Sequence, residues 1–348
     1  MSVIPDGITP RRPATIRDVA ALSGVTASTV SRALSTPGRV NFRTRARIEA
    51  AAARLNYVPN AQAKALSSGR TRAVALLVAD ITNPFYFDII RGTQHQLKAA
   101  GYTQLLVDTE ESDEVEINTL EQMRQTADGV ILTASRLPDE LIANASSKMP
   151  LVTINRDVPG VPSVILDTPA ATNQALDHLI SLGHSRIAYL SGPETSSSNA
   201  RRWAALSAAA SEQSVDVVQL GPFAPRTHSG AAAADALVYS GATAGIAFND
   251  LIAIGMLTRL RERGLRVPQD ISIVGCDDIF GADFCSPPLT TVTAPVEQAG
   301  RVAVTMLLSQ LDPERGALPR SHSLLPTYLT IRGSTGSRPP ASADKPRQ

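Results

Sequence analysis

A run of small polar side chains and one arginine lies near the start of the chain, at a spacing that would place them on an exposed helix face. Residues 27–32 read Ala-Ser-Thr-Val-Ser-Arg, and Val30 is the only large apolar residue among them. On a helix, Val30, Ala33 and Leu34 would face inward, which leaves hydroxyls and a guanidinium outside. Such groups hydrogen-bond to base edges, and a short helix of this kind fits the DNA major groove. A helical hairpin with a solvated face is the alternative interpretation.

The residues around this run predict two short helices joined by a tight turn. Thr15 is a typical helix N-cap, and Asp18, three residues later, gives a variant of the capping box. Gly24 supplies the turn, and Thr26 is expected to cap the second helix. The first helix is expected to bury one apolar face, formed by Ile16, Val19, Ala20 and Leu22.

A third helix is expected to begin at Asn41 or Thr44 and to end near Leu55. Arginines stand close to its start, where backbone N–H groups without helical partners also attract anions. This segment is therefore a candidate clamp for DNA phosphates. The arginines are Arg43, Arg45 and Arg47, and the expected buried stripe is Ile48, Ala51, Ala52 and Leu55.

Charge is distributed unevenly along the chain. The net charge is only +1, but residues 1–72 hold 12 Lys and Arg against 3 acidic residues, which gives +9 and leaves −8 for the remainder. A basic head on an acidic body is the pattern that nucleic-acid binding by the head requires. Binding to acidic lipid is disfavoured, because the head helices lack the apolar face of an interfacial anchor.

Composition narrows the class of protein. The chain has 348 residues, of which 43% are hydrophobic and 19% charged, as expected for a soluble protein of two or three domains. It contains neither a run of about 18 apolar residues nor a secretory signal, so we expect no membrane association and a cytoplasmic location, at the nucleoid when DNA is bound. Cys276 and Cys285 are the only cysteines and have no metal-ligand spacing. We therefore expect no metal and no cofactor.

From Ala73 onward, apolar runs of strand length alternate with amphipathic segments of helix length. This rhythm predicts parallel sheets of βαβ units, with enough units for two sheets. The fold class is thus a small all-α helix-turn-helix headpiece plus an α/β body of two doubly wound lobes. The predicted strands are Ala73–Val78, Gln104–Val107, Gly129–Thr133, Leu151–Ile154, Arg186–Leu190, Val215–Leu220, Ala244–Phe248 and Ile271–Cys276.

Polar residues follow several of these strands directly. Ligands of open α/β folds bind at the carboxyl ends of strands, so these residues are expected to line a cleft between the lobes. Carboxylates, amides and a guanidinium that converge there suit a polyhydroxylated ligand such as a sugar, although each residue alone is more often a helix cap or an ion-pair partner. The strand-end residues are Asp80, Asn83, Phe85, Asn155, Arg156, Asp157, Ser196 to Arg202, Asn249, Asp250, Asp277 and Asp278.

The sequence contains no recognisable catalytic constellation. A nucleophile elbow, a phosphate-binding loop and a zinc-protease motif are all absent, and the five histidines are scattered. We therefore expect no catalytic residue and no enzymatic activity.

Between head and body lies the segment 56–71, a linker with one or two turns of helix. So short a helix is marginal alone and would order only against a partner. Leu66 is its one large apolar residue past Pro59. It is either a wedge between base steps or a contact with the body.

The motifs together resemble the lactose-repressor/galactose-repressor (LacI/GalR) family of bacterial transcription regulators, from Ala14 to about Thr335. The resemblance rests on TIRDVAALSGVTASTVSRAL (15–34), LNYVPNAQAKAL (55–66), ITNPFYF (81–87), LGHSRIAYLSGP (182–193), FND (248–250), VPQDISIVGCDD (267–278) and PPLTTV (287–292).

The resemblance implies a domain organisation and a set of contacts. Ala27, Ser28 and Arg32 would read bases, paired hinge helices would insert Leu66 into a pseudo-palindromic operator, and a body similar to periplasmic sugar-binding proteins would hold an effector. The tail lacks leucine heptads, which favours a homodimer over a tetramer. The expected domains are a disordered basic arm (1–13), a helix-turn-helix domain (14–58), a hinge helix and linker (59–72), an effector-binding and dimerisation domain (73–335) and a disordered tail (336–348). Its lobes are expected at about 73–167 with 297–325 and about 168–296 with 326–335.

The function predicted from these observations is a repressor that binds operator DNA as a dimer under control of a sugar-like effector. A sugar-binding protein without a DNA role is the alternative. The candidate DNA contacts are Thr15, Arg17, Thr26, Ala27, Ser28, Thr29, Ser31, Arg32, Arg39, Asn41, Thr44, Tyr57, Asn60, Ala63 and Leu66. The candidate effector contacts are Asp80, Phe85, Asn155, Arg156, Arg202, Asn249 and Asp277.

Overall fold

The computed structural model describes residues 14–35, 37–58, 69–312 and 322–338. The chain divides into two compact units, a head that ends at Thr71 and a body that begins at Arg72. The predicted arm (1–13), the linker positions Asn60, Ala63 and Leu66, and most of the predicted tail lie outside the described residues.

The described residues of the head form three α-helices, α1 (Ile16–Ser23), α2 (Ala27–Ser35) and α3 (Phe42–Arg54), around one small apolar core. Gly24 forms the turn between α1 and α2 with a φ of 63°. The Asp18 carboxylate accepts hydrogen bonds from the Thr15 backbone N–H at 2.8 Å and from its hydroxyl at 2.7 Å, as the capping motif predicted. A short 3₁₀ turn, Pro37–Arg39, precedes α3.

The buried face of α1 differs from the predicted face at one position. Leu22 is 44% exposed, and Ser23 is buried in its place, donating its hydroxyl to the carbonyl oxygen of Val19 at 2.6 Å. The reason is helical phase, because Ser23 lies seven residues after Ile16 and returns to the same face, whereas Leu22 does not. The inclusion of Leu22 in the apolar stripe was therefore wrong.

The second and third helices begin as predicted. The Thr26 hydroxyl oxygen accepts from the backbone N–H of Thr29 at 3.3 Å, and the Asn41 side-chain oxygen accepts from that of Arg43 at 2.9 Å. Ser28, Ser31 and Arg32 are exposed on α2, but Ala27 is half-buried against the head core. At the start of the helix, the Ala27 methyl group covers part of this core.

The part of the body that the structure describes forms two six-stranded sheets, each mainly parallel. The first has the order β11-β5-β4-β3-β1-β2 and the second the order β12-β10-β9-β8-β6-β7, and among these described strands only β10 and β12 pair antiparallel. The strands of the first sheet are β1 (Ala73–Val78), β2 (Thr103–Asp108), β3 (Gly129–Thr133), β4 (Leu151–Ile154), β5 (Ser163–Leu166) and β11 (His322–Leu325). Those of the second are β6 (Arg186–Leu190), β7 (Asp216–Leu220), β8 (Ala244–Ala247), β9 (Ser272–Cys276), β10 (Thr290–Thr293) and β12 (Tyr328–Thr330).

Helices pack on both faces of these sheets, and apolar cores lie between the layers. Gly101, Gly183 and Gly264 follow helix ends with positive φ, as predicted. The helices are α4 (Phe85–Ala99), α5 (Asp113–Thr126), α6 (Asp139–Lys148), α7 (Thr168–Ser181), α8 (Ser197–Glu212), α9 (Gly230–Ser240), α10 (Asp250–Glu262) and α11 (Val296–Leu311). Among the described residues, no helix has both the length and the apolar character needed to cross a membrane.

One late helix returns to the first sheet. Helix α11 packs on α4 and against the core of that sheet, although it follows β10 of the second sheet. The two helices approach closely at Gly92, where an added Cβ would lie 2.1 Å from the carbonyl oxygen of Glu297. Each lobe is therefore built from more than one stretch of the chain.

Candidate functional site

A small cavity lies where the carboxyl ends of both sheets face each other. Its lining residues come from the segments that follow β1 to β4 of one sheet and β6 to β9 of the other. About 60 Å³ of it is free space, enough for about four water molecules. The lining residues are Asp80, Asn83, Phe85, Tyr86, Glu111, Ala134, Arg136, Asn155, Ser196, Ser198, Arg202, Pro225, Phe248, Asn249 and Asp277.

Arg202 on α8 is the most buried cation at this cavity, with 4% of its surface exposed. Its Nη1 donates to the carbonyl oxygen of Phe248 at 2.6 Å, and its Nε donates to that of Ser198 at 3.4 Å. The guanidinium carbon lies 4.5 Å from the centre of the Phe248 ring, within the range of a cation–π contact. These contacts fix the guanidinium plane. Among the described residues, Nη2 makes no hydrogen bond.

Two asparagines at strand ends hold the backbone and also line the cavity. Asn155 has a φ of 58°, and its side-chain oxygen accepts from the backbone N–H of Leu166 at 3.1 Å. Asn249 caps α10 by accepting from the N–H of Ile252 at 3.0 Å, and its amide nitrogen donates to the carbonyl oxygen of Pro225 at 3.2 Å. An amide nitrogen carries two hydrogens, so each side chain keeps donor capacity for a ligand.

The adjacent carboxylates Asp277 and Asp278 point to different places, as their positions suggested. Asp277 lines the cavity with a φ of 116°, and its backbone N–H donates to the carbonyl oxygen of Val292 at 2.9 Å. Asp278 forms an ion pair with Arg332 at 2.7 Å. Positive φ values at non-glycine residues are costly, and Asp277 shares this feature with Glu111, Ala134 and Asn155 of the cavity lining.

Burial raises the pKa values of two aspartates at the ends of β8 and β9. It raises the pKa of Asp277 to about 8; the nearby carboxylate of Asp250 also raises it, while Arg202 opposes the shift. Asp250 itself is fully buried and does not line the cavity. Burial raises its pKa to about 6, and it accepts from the hydroxyl of Thr291 at 2.6 Å and the N–H of Ile279 at 2.9 Å. Asp250 therefore supports the strand ends, and Asp277 lines the cavity.

On the side of the first sheet, the charged lining groups are already paired. Arg136 contacts Glu111 at 2.6 Å, and each side chain is 16% exposed. Asp80 accepts from the N–H of Thr82 at 2.9 Å and lies 3.7 Å from Arg226, which follows β7 of the second sheet. This side therefore offers hydrogen-bonding groups with little net charge.

The structure brings together all the predicted effector contacts except Arg156. That side chain is absent from the cavity lining, because its guanidinium donates to the carbonyl oxygen of Leu137 at 2.8 Å and to Asp139 at 2.7 Å. Sequence reasoning missed several lining residues, of which Glu111 and Arg136 follow predicted strands and could have been found by the same rule. The other residues missed are Tyr86, Ala134, Pro225 and Phe248.

The candidate DNA contacts of the head lie on exposed or half-exposed positions. Those on α2 form one polar face, and Asn41 is exposed at the start of α3 beside Arg43 and Arg47. The exposed members are Thr15, Arg17, Thr26, Ser28, Ser31, Arg32, Arg39 and Asn41, and the half-exposed members are Ala27, Thr29, Thr44 and Tyr57.

His184 lies away from the cavity lining and supports the fold. His184 is buried, with ring nitrogens 2.8 Å from the Thr243 hydroxyl, 3.1 Å from that of Ser272 and 3.0 Å from the Gly336 carbonyl. The residues the structure describes contain no group of three His, Cys, Asp or Glu placed to hold a metal ion.

Comparison with known proteins assigns both units. Residues 15–60 match the model for bacterial regulatory proteins of the lacI family, and residues 176–335 match that for a periplasmic binding protein-like domain. The repressor CytR of Escherichia coli (strain K12) is 32% identical over 334 residues, which cover 94% of this chain and 97% of CytR. The chain belongs to the LacI family.

Other members of the family align with nearly the whole chain. The ribose operon repressor of Bacillus subtilis (strain 168) is 33% identical over 297 residues, 85% of this chain and 91% of that protein. The lac repressor dimer bound to operator and the anti-inducer ONPF aligns with a TM-score of 0.83 at 28% identity, covering 94% of this chain and 100% of that one. The CelR–cellobiose complex aligns with a TM-score of 0.69 at 30% identity, covering 92% and 99%.

These relatives confirm the family, the fold class and the regulatory function predicted from sequence. The LacI-family chain is a DNA-binding transcriptional regulator that combines a helix-turn-helix domain with an effector-binding domain. CytR and the ribose operon repressor are transcriptional repressors, so the activity that the chain shares with these relatives is regulation rather than catalysis.

Proposed function

We propose that this LacI-family regulator is a homodimeric repressor whose operator affinity is controlled by a polyhydroxylated small molecule bound in the cavity between the two sheets. Ala27, Ser28 and Arg32 read operator bases, the arginines near α3 contact phosphates, and Leu66 of each protomer wedges the centre of a pseudo-palindromic site. The ligand contacts are Asp80, Phe85, Asn155, Arg202, Asn249 and Asp277.

The observation that carries this proposal is the mixture of groups around the cavity. Asp277 offers a carboxyl group, Arg202 offers Nη2, and Asn155 offers amide hydrogens, while Phe85 and Phe248 provide apolar surface. A hydroxyl both donates and accepts hydrogen bonds, so several hydroxyls on a ring satisfy donors and acceptors together. A simple anion or cation fits less well, because most of the charged groups on both sides already have partners.

The size of the cavity suggests how a ligand acts. Space for about four waters is too small for a sugar ring, so the lobes must part for a ligand to enter. A ligand that contacts both sheets then favours one lobe arrangement over another, which is a population shift. In a dimer, that shift would change the spacing of the two linkers and so the formation of the marginal hinge helices.

The experiment that tests the proposal uses the full-length protein. DNA duplexes that bind the protein are selected from a pool of random sequences. The affinity of the protein for the selected duplex is then measured at several salt concentrations and in the presence of each compound of a panel of sugars and nucleosides. We expect a two-fold symmetric site, a steep loss of affinity with salt, and at least one compound that changes affinity about tenfold or more. Selection of no duplex would contradict the DNA role, and a selected duplex unaffected by every compound would contradict the effector role.

A further inference from the structure

One large aromatic side chain of the head lies outside the head core and is not among the candidate DNA contacts. Phe42, the first residue of α3, is 81% exposed. The other aromatic residue of the described head, Tyr57, is half-buried and packs against the head core. The packing of the head therefore does not require the Phe42 ring, which lies open to solvent.

The residues next to this ring in sequence are cationic. Arg39 precedes it by three residues, Arg43 follows it directly, and Arg47 lies one helical turn after Arg43; all three are exposed. They form no ion pair with the described residues, whereas Arg45 of the same helix is paired with Glu49 at 2.6 Å. The described head holds seven arginines against two acidic residues. This part of the surface is therefore suited to a polyanion.

The Phe42 ring is not used by these arginines. Where guanidinium groups of the described residues lie over aromatic rings, the rings are those of Tyr102, Phe248 and Tyr239. A single exposed apolar side chain is common on protein surfaces. Phe42 differs because cations without an acidic partner flank it on a head that binds DNA. An aromatic ring among such cations is a combination with which proteins bind nucleic acid.

We propose that Phe42 packs on deoxyribose carbons of the operator backbone, beside the phosphates that Arg43 and Arg47 contact. This inference rests on the proposed function, since it adds an uncharged contact to the same DNA-binding head. The bases of a duplex are stacked inside it, so the apolar surface next to the phosphates is that of the sugars. The ring loses exposed apolar area when it binds there, which favours the complex. A sugar contact has no base preference, so it strengthens binding to any duplex.

The test measures the affinity of the full-length protein for the selected operator and for a random duplex at several salt concentrations. Phe42→Ala should weaken binding to both DNAs by about tenfold at every salt concentration, because each protomer of the dimer loses one apolar contact. The slope of log affinity against log salt concentration should stay unchanged, since no phosphate contact is lost. Arg43→Ala, which changes the next residue of α3, should instead make that slope shallower by about one per protomer.

Further variants control for folding and for the loss of an aromatic ring. Phe42→Leu keeps apolar bulk and should retain much of the affinity that Phe42→Ala loses. Tyr239→Ala deletes an aromatic side chain that is 86% exposed on α9 of the body, and it should change neither affinity nor slope. Phe42→Ala should also unfold at the same denaturant concentration as the native chain, because the ring is not part of the head core.

A tryptophan at this position reports the contact directly. The native chain has one tryptophan, Trp203, which lies in the body. When the random duplex binds, the emission of Phe42→Trp should shift to shorter wavelength by more than that of the native chain, because the new indole leaves water.

The outcomes separate this inference from the proposed function. If Phe42→Ala binds both DNAs as tightly as the native chain, or if the added indole stays in water, the sugar contact is wrong and the proposed function stands. If the loss is confined to the selected operator, the ring contacts a base, and the sugar contact is again wrong. If the native chain binds no duplex, the proposed function itself is contradicted.

Discussion

Arg202 and Phe248 form a rigid pair at the cavity, in which one guanidinium nitrogen donates to the Phe248 carbonyl oxygen at 2.6 Å while the guanidinium carbon lies 4.5 Å from the ring centre. The residues reach this site from different elements, α8 and the end of β8. Their contact orients Nη2, and it also ties a helix to a strand end within the same lobe. The pair therefore links the lining of the cavity to the packing of that lobe.

Arg202→Ala should abolish the response of operator affinity to the ligand and leave operator binding without ligand unchanged. The variant should also lower the free energy of unfolding by about 1–3 kcal/mol, because the part-buried carbonyl oxygen of Phe248 loses a charged donor. Calorimetry of operator binding with and without the ligand measures the first effect, and denaturant unfolding measures the second. Arg124→Ala, which removes an exposed arginine paired with Glu121, is the matched control. An unchanged ligand response in Arg202→Ala would remove Arg202 from the site.

The free energy of unfolding of the body should fall as pH rises toward 8, and the ionisation of Asp277 should cause part of that fall. Burial raises the pKa values of Asp277 and Asp250 to about 8 and about 6, above the ordinary value of 3.8. The folded state therefore favours the protonated acids, and this stabilisation is full below about pH 4 and is lost as pH rises to 8. Asp277→Asn should make the free energy of unfolding depend less on pH. The variant should also be more stable than the native chain at pH 8.

Thermal unfolding between pH 4 and 9 measures that dependence. The comparison variant is Asp283→Asn, which changes an exposed aspartate on the loop after β9. If Asp277→Asn and the native chain lose stability in parallel over this range, Asp277 is not held protonated in the folded body.

The sequence predicted the parts of the fold in which periodicity is long and regular. The eight predicted strands are all present within a residue or two, whereas β5, β10, β11 and β12 were not predicted. Two of these, β11 and β12, come after α11, where the chain crosses between the sheets, and no local pattern shows such a crossover.

The site was predicted through one physical rule, that side chains after parallel strands meet at one edge. The rule found Asp80, Asn249 and Asp277, and it was not applied to Glu111 and Arg136 although they follow β2 and β3. It also could not separate adjacent residues. Asn155 lines the cavity while Arg156 turns away to Leu137, and that choice depends on the positive φ of Asn155. Side-chain direction at irregular backbone is set by tertiary contacts.

Gly92→Ala should destabilise the body by about 1–3 kcal/mol or more. A Cβ at this position would lie 2.1 Å from the carbonyl oxygen of Glu297, so α4 and α11 would have to separate. Gly333→Ala is the matched control, because its Cβ would lie at ordinary contact distances, 3.4 and 3.5 Å from side-chain atoms of Pro288 and Pro287 and 3.7 Å from the carbonyl oxygen of Pro288. Denaturant unfolding followed by circular dichroism measures both, and equal midpoints would show that the helix contact tolerates a methyl group.

Arg32→Ala should weaken binding to the selected operator more than binding to random DNA. An arginine that reads a base contributes about 1–3 kcal/mol of discrimination, whereas one that only adds charge contributes equally to both DNAs. Arg54→Ala removes the same charge from the exposed end of α3 and provides the control. Fluorescence anisotropy at several salt concentrations measures each affinity. Specific and random binding that weaken by the same factor in Arg32→Ala would assign this arginine to phosphate contact and leave base reading to the other exposed side chains of α2.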